Sequence, residues 1–242
     1  VNNQNIVIPR LPETHFSRER FLATSFVHLV APTCAGKGHL MKRIKLDLLL
    51  EIELGHLRAG FVSFGDIVKN LLETNPDFNV RYGESMKAGD LLPDDEVISI
   101  FEREIDKVAL GGMTNINFID GFCRSPQQIA FAADNGYLVA GDQVFIIKVD
   151  EDVCLERFMH RCKNQPARID AELPTFHRRF RDYHKTLPEL RGMFMESGCR
   201  VIEVDGNPDI AADVFPVIQK AVHKNLLEAC RSVHYEPLTM AA

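Results

Sequence analysis

Residues 25–39, SFVHLVAPTCAGKGH, constrain the fold more than any other stretch of the chain. A β-prone, largely apolar run passes into a turn of small residues, and helical spacing begins at Lys37. A strand, a tight turn and a helix in that order aim backbone N–H groups and the positive helix end at one point, where an anion can sit. Lys37 adds a full charge there. Against the phosphate-loop pattern G-x-x-x-x-G-K-[ST], the stretch keeps Gly36 and Lys37, but has Ala31 for the first glycine and Gly38 for the hydroxyl residue. On these residues alone, a phosphate cradle and a plain cap between strand and helix both remain open.

Three further runs share the character of the first: NINFID at 115–120, VFIIKV at 144–149 and RVIEVD at 200–205. Each is apolar on consecutive positions, as a strand covered on both faces requires. Helical spacing occupies 37–53, 65–73, 94–109, 126–135, 152–162, 171–184 and 208–229, and Pro93 with the acids at 94–96 supplies a start signal. Strands alternating with helices predict an α/β fold, a parallel sheet with helices on both faces. Ligands of such sheets sit beyond the carboxyl ends of the strands. That gathers the 31–39 loop, the DGFCR segment at 120–124 and the turn after VFIIKV. The stretch from about 55 to 90 is too long for a simple connection, and is expected to be a mostly helical, mobile subdomain.

At 242 residues the chain fits one domain with insertions. A net charge of −6 gives no support to a role on nucleic acid or an anionic membrane, and no apolar run approaches bilayer length. Six cysteines occur without a CxxC pair or a zinc-binding His/Cys spacing, so the expectation is reduced thiols in a cytoplasmic protein with no structural zinc. Residues 1–25 read as an N-terminal extension and 231–242 as a tail.

The loop at Gly36, Lys37 and Gly38 resembles that of the adenylate kinases and related nucleoside monophosphate kinases, G-x-P-G-x-G-K-G-T, with departures at Ala31, Thr33, Cys34 and His39. Other segments carry the resemblance in the family's order. IDGFCRSPQQ at 119–128 is similar to D-G-F-P-R-x-x-x-Q at Asp120, Gly121, Phe122, Arg124 and Gln128, with Cys123 in place of proline. There a carboxylate can hold magnesium through water, an arginine can grip a phosphate bidentately, and a carboxamide can meet a base edge. CLERFMHR places Arg157 and Arg161 on one helix face; Arg168 and Asp170, then Arg179 and Tyr183, follow as in the family's arginine-rich lid and next helix. FVSFGDIVK at 61–69 is similar to H-I-S-T-G-D-x-x-R at Ser63, Gly65 and Asp66, with Phe64 for a threonine and Lys69 for an arginine. AGDLLPDDEVI at 88–98 resembles A-G-x-L-V-x-D-E-x-V. In all the resemblance spans about 26–222.

The resemblance implies a P-loop nucleoside triphosphate hydrolase-like kinase domain over 26–230, with a nucleoside-monophosphate-binding insertion at about 55–90 and a short lid at about 162–170. It implies transfer of the γ-phosphoryl group of ATP to AMP with Mg²⁺, in a monomer. ATP would be held at Ala35, Gly36, Lys37, Gly38 and His39, with Arg157 against its base and Arg161 near its phosphates. The monophosphate would lie among Ser63, Phe64, Lys69, Leu91, Leu92, Gly121 and Arg124, its base read by Gln128. Lys37, Arg124, Arg161, Arg168 and Arg179 would carry catalysis, Arg168 and Arg179 also touching the monophosphate, and Asp120 would hold magnesium through water. Two alternatives stay open: a nucleotide-binding protein of low turnover acting as sensor or partner module, and a kinase of another monophosphate such as CMP or UMP.

Overall fold

The structure, a computed structural model, describes residues 25–49, 58–110, 116–164, 172–208 and 213–232. β1 (Ser25–Val30), β2 (Ala59–Ser63), β3 (Ile116–Asp120), β4 (Gln143–Lys148) and β5 (Arg200–Asp205) pair in parallel as one five-stranded sheet, in the order β2-β3-β1-β4-β5. The unbroken apolar runs have the expected cause. Along β1, Val27 and Leu29 enter one core cluster while Phe26 and Val30 enter another; β4 divides Phe145 and Ile147 from Val144 and Ile146 in the same way. Side chains alternate between sheet faces, so a strand apolar at every position must be covered on both.

Helices supply that cover. α1 (Lys37–Asp47), α6 (Glu151–Asn164) and α8 (Phe215–Ser232) pack on the first face through Leu40, Ile44, Phe158 and Ile218. α2 (Phe64–Thr74), α3 (Pro76–Lys87), α4 (Asp94–Leu110) and α5 (Pro126–Asp134) pack on the second through Val68, Phe78, Phe101 and Ile129. α7 (Leu173–Glu196) serves both, placing Phe176 and Phe180 in the first cluster and Leu190 and Phe194 in the second. No helix among the described residues is long and apolar enough to cross a membrane.

The helix expected over 37–53 ends at Asp47 and the one expected over 208–229 begins at Phe215, and two elements differ more in kind. Residues 59–63, read as part of a mostly helical insertion, form β2, which among the described residues is an edge strand paired with β3, followed by a helix that begins at Phe64. AGFVS is short and holds a glycine, so it gives no strand signal alone; the glycine is there because a Cβ on Gly60 would come within 2.0 Å of Asn117 Oδ1. The second is α7, expected to end near 184, which runs to Glu196 through Pro188. Proline reads as a stop because it removes a helical hydrogen bond. Here burial of Leu190 and Phe194 beyond it offsets that loss. The N-terminal extension to residue 24, most of the short lid and the last ten residues lie outside the described residues.

Candidate active site

Sheet register brings three loops to one edge. Asp120, the last residue of β3, lies level with Leu29 of β1 on one side and with Ser63, the last residue of β2, on the other. The phosphate loop, the Gly121–Ser125 turn and the start of α2 therefore leave the sheet side by side, at the carboxyl ends where ligands of such sheets bind.

The phosphate loop is shaped by two positive φ angles, 92° at Gly36 and 59° at Cys34. Glycine adopts this region freely, whereas a cysteine there is strained by about 1 kcal/mol or more. α1 starts without a side-chain cap and without an acid in its first turn, so its positive end faces the loop uncompensated. Lys37 folds back over the loop, its Nζ donating to Ala31 O at 2.9 Å and Pro32 O at 3.2 Å. A Cβ on Gly38 would meet nothing within 4 Å, and Gly38 and His39 are exposed. Ala35 is buried, and its carbonyl accepts from Arg157 Nη1 at 3.2 Å.

Asp120 faces this loop. It is 6 % exposed, and its Oδ1 has no hydrogen-bond partner. Burial raises its pKa, with Lys37 and Arg124 pulling it back; burial likewise lowers that of Lys37, opposed by Asp120. Such a carboxylate oxygen, beside two cations and without a protein donor, fits a water-bridged divalent cation. Among the described residues no three His, Cys, Asp or Glu side chains gather to hold a metal.

After Asp120 the backbone turns at Gly121, φ 88°, where a Cβ would come within 2.8 Å of Arg124 Nη2 and 3.0 Å of Phe64 Cβ. Glycine here lets the Arg124 side chain lie across the turn. Arg124 is exposed as a whole residue, but its guanidinium end is packed in, and burial lowers its pKa with Asp120 opposing. Ser125 caps α5, accepting from Gln128 N at 3.2 Å. Gln128 is buried, its Oε1 accepting from Arg124 N at 2.9 Å and its Nε2 donating to Asp94 Oδ1 at 2.6 Å. Phe64, expected beside the base, turns its ring into the core at 5 % exposure and stacks on Phe122, the centroids 6.1 Å apart. Lys69 is exposed and pairs with Glu73 at 3.8 Å on its own helix. Leu92 is buried, and Leu91 points to solvent.

The arginines are held on the walls around this edge. Arg157 spans the phosphate loop and the segment after β5, its Nη2 donating to the carbonyls of Gly206 and Pro208 at 3.0 and 3.1 Å. Arg161 lies over the Phe158 ring at 5.7 Å. Arg179, expected at the transferring group, donates from Nε to Gly89 O at 3.2 Å and from Nη2 to Met86 O at 3.3 Å. Its neighbour Arg178 pairs with Asp90, and Thr175 Oγ1 donates to Lys87 O at 3.2 Å. Together they tie α7 to the turn that follows α3. Arg168 lies outside the described residues. The sequence reading missed Asp94 and Arg178. Asp94 reads only as a helix-start acid, and Arg178 only as one charge in RRFRDY; their partners are far away along the chain.

A parallel sheet with a lysine-bearing phosphate loop, a carboxylate at the next strand end and arginines around both defines a P-loop phosphotransferase. Comparison with known proteins agrees. A family model described as an AAA domain matches residues 30–173. The chain is 31 % identical over 191 residues to an adenylate kinase of Hyphomonas neptunium, covering 76 % of this chain and 91 % of that protein. It is 28 % identical over 192 residues to an adenylate kinase of Thermosipho africanus, covering 72 % and 84 %, and 27 % identical over 189 residues to one of Thermus thermophilus, covering 76 % and 90 %. The chain belongs to the adenylate kinase and nucleoside monophosphate kinase family, and is a kinase of nucleoside monophosphates.

Proposed function

We propose that the protein transfers the γ-phosphoryl group of Mg²⁺–ATP reversibly to AMP, giving two ADP. The observation that carries this reading is the meeting of Lys37, Asp120 and Arg124 at the carboxyl ends of β1 and β3. Phosphoryl transfer asks the protein for positioning and positive charge more than for covalent chemistry. The loop N–H groups and Lys37 hold the donor phosphates, Lys37 exchanging its two carbonyls for phosphate oxygens. Arg124 holds the acceptor phosphate, and Gln128 meets the acceptor base. Arg161, Arg168 and Arg179 close on the transferring group, which requires Arg179 to leave its carbonyls. Magnesium, held by Asp120 through water, would neutralise charge on the phosphates. The helices from Phe64 to Lys87 and the 162–170 lid act as the moving parts that exclude water.

The protein acts as a monomer in the cytoplasm in this reading; the free thiols at Cys34, Cys123, Cys154, Cys162 and Cys199 suit a reducing compartment. AMP is favoured because a carboxamide complements the adenine edge and because the relatives are named adenylate kinases. A coupled assay of ADP formation with ATP, Mg²⁺ and AMP, CMP, UMP or GMP tests it. AMP should be used best, and the activity should disappear with EDTA and fall about a thousandfold in Lys37→Ala. Turnover of CMP or UMP well above that of AMP would displace AMP as the acceptor.

A further inference from the structure

Gln128 is held at both ends by groups that accept only one arrangement. Asp94, the first residue of α4, takes hydrogen bonds on Oδ1 from Ser125 Oγ at 2.8 Å and from Gln128 Nε2 at 2.6 Å. At the opposite end of the amide, the backbone N–H of Arg124 donates to Gln128 Oε1 at 2.9 Å. An N–H can meet only the oxygen of a carboxamide, and a carboxylate only its nitrogen, so these partners decide which way round the group lies. Gln128 is 4 % exposed. Reversal would set oxygen against carboxylate and N–H against N–H with little water to compensate.

We propose that Asp94 is a positioning residue that locks the Gln128 carboxamide in one orientation, so that the acceptor site selects amino bases over keto bases of the same ring size. The inference rests on the proposed role of Gln128 in meeting the acceptor base. A carboxamide has two N–H groups and two acceptor positions, so one of each remains after the bonds to Asp94 and Arg124. Adenine and cytosine present an exocyclic N–H donor beside a ring nitrogen acceptor; hypoxanthine and uracil present the reverse. A free carboxamide serves either order by turning through half a circle. A locked one, facing a base whose sugar phosphate is held at Arg124, serves only one. An acceptor of the wrong order leaves buried groups unpaired, which is the strong form of discrimination available to a binding site.

Steady-state kinetics with AMP against IMP and CMP against UMP, at fixed Mg²⁺–ATP, test the lock within each ring size. The wild-type chain should favour the amino member of each pair by about tenfold or more in kcat/KM. Asp94→Ala, which removes the acceptor of Ser125 and Gln128 and leaves only the Arg124 N–H to orient the carboxamide, should bring each ratio several-fold closer to one, mainly through a higher KM for the amino acceptor, while the KM for ATP does not move. Unchanged ratios in Asp94→Ala, or equal losses for both members of a pair, overturn the role of Asp94. A wild-type chain that uses amino and keto acceptors equally overturns it without any variant, which covers an insoluble Asp94→Ala. Preference for pyrimidines would correct only the AMP assignment, with the lock then decided on CMP and UMP; absence of turnover with every monophosphate would overturn the proposed function, and the lock with it.

Discussion

The two halves of the site are built from different materials. On the side proposed for the donor, residues 31–38 present backbone: N–H groups, two positive φ angles, and carbonyls that occupy Lys37 and Arg157. On the side proposed for the acceptor, residues 120–128 present side chains: a buried carboxylate, a guanidinium, and a carboxamide tied to Asp94 on another helix. A cradle made of backbone tolerates changes of side chain wherever φ and space allow. That is why Ala31, Thr33 and His39 can depart from the resembling pattern while Gly36 and Lys37 stay. A cradle made of side chains has no such freedom, and 120–128 keeps Asp120, Gly121, Phe122, Arg124 and Gln128.

The contrast can be broken or sharpened. Lys37 is the one side chain of the donor loop with a full charge for phosphate, so Lys37→Ala should lower kcat by about a thousandfold with the fold intact, read by steady-state kinetics and circular dichroism. A loss under tenfold would mean that the backbone cradle alone suffices.

Acid should act on the acceptor side first. His28, in β1 beneath that segment, is 1 % exposed, with Nδ1 3.9 Å from Cys123 Sγ and Nε2 3.1 Å from Tyr137 O. Burial lowers its pKa to about 4 from 6.5, the bond to Tyr137 O opposing. Between those values the unfolded chain binds a proton that the folded one does not. Stability should therefore fall as pH drops through the window, by about 3 kcal/mol at its lower end. Asp142 works in the other direction: burial raises its carboxyl to about 6, so the folded state takes its proton first and gains stability as pH falls from 6 toward 4. Thermal melts from pH 7 to 4.5 should show a shallower acid loss in His28→Gln than in the wild type.

Gly121→Ala tests whether the acceptor side also depends on backbone. Its Cβ would collide with Arg124 and Phe64 at φ 88°, so the variant should lose about 2 kcal/mol in denaturant melts and raise the KM for the monophosphate. Arg124→Lys keeps the charge and loses the planar fork. It should raise that KM about tenfold and leave the KM for ATP unchanged. The smallest effect belongs to Cys34→Gly, which relieves φ 59° and should stabilise the chain by at most about 1 kcal/mol, with activity equal or higher. A large loss of activity there would show that the thiol takes part in the loop and would erase the contrast.

Much of the fold was legible along the chain, because a parallel sheet covered on both faces leaves consecutive apolar runs, and β1, β3 and β4 carry them, whereas β5, expected to be covered in the same way, lies at the sheet edge and buries only Val204. β2 carries none. It is an edge strand around Gly60, whose place follows from Asn117 on β3, a contact between residues far apart in sequence. The same limit runs through the site. Lys37, Asp120, Arg124 and Gln128 stand out because each sits at a fixed offset from a strand or a helix start, and short-range geometry is written in sequence.

By itself, then, the sequence determined the α/β alternation, the phosphate loop after the first strand and the charged residues at the strand ends, since all of these depend on neighbours a few positions away. Tertiary structure decided that the Phe64 ring turns into the core, that Arg179 rests on the carbonyls of Met86 and Gly89, and that Asp94 reaches Gln128 across 34 positions. These are matters of which groups meet after burial. Polar groups withdrawn from water take whichever partner the packed helices bring within reach.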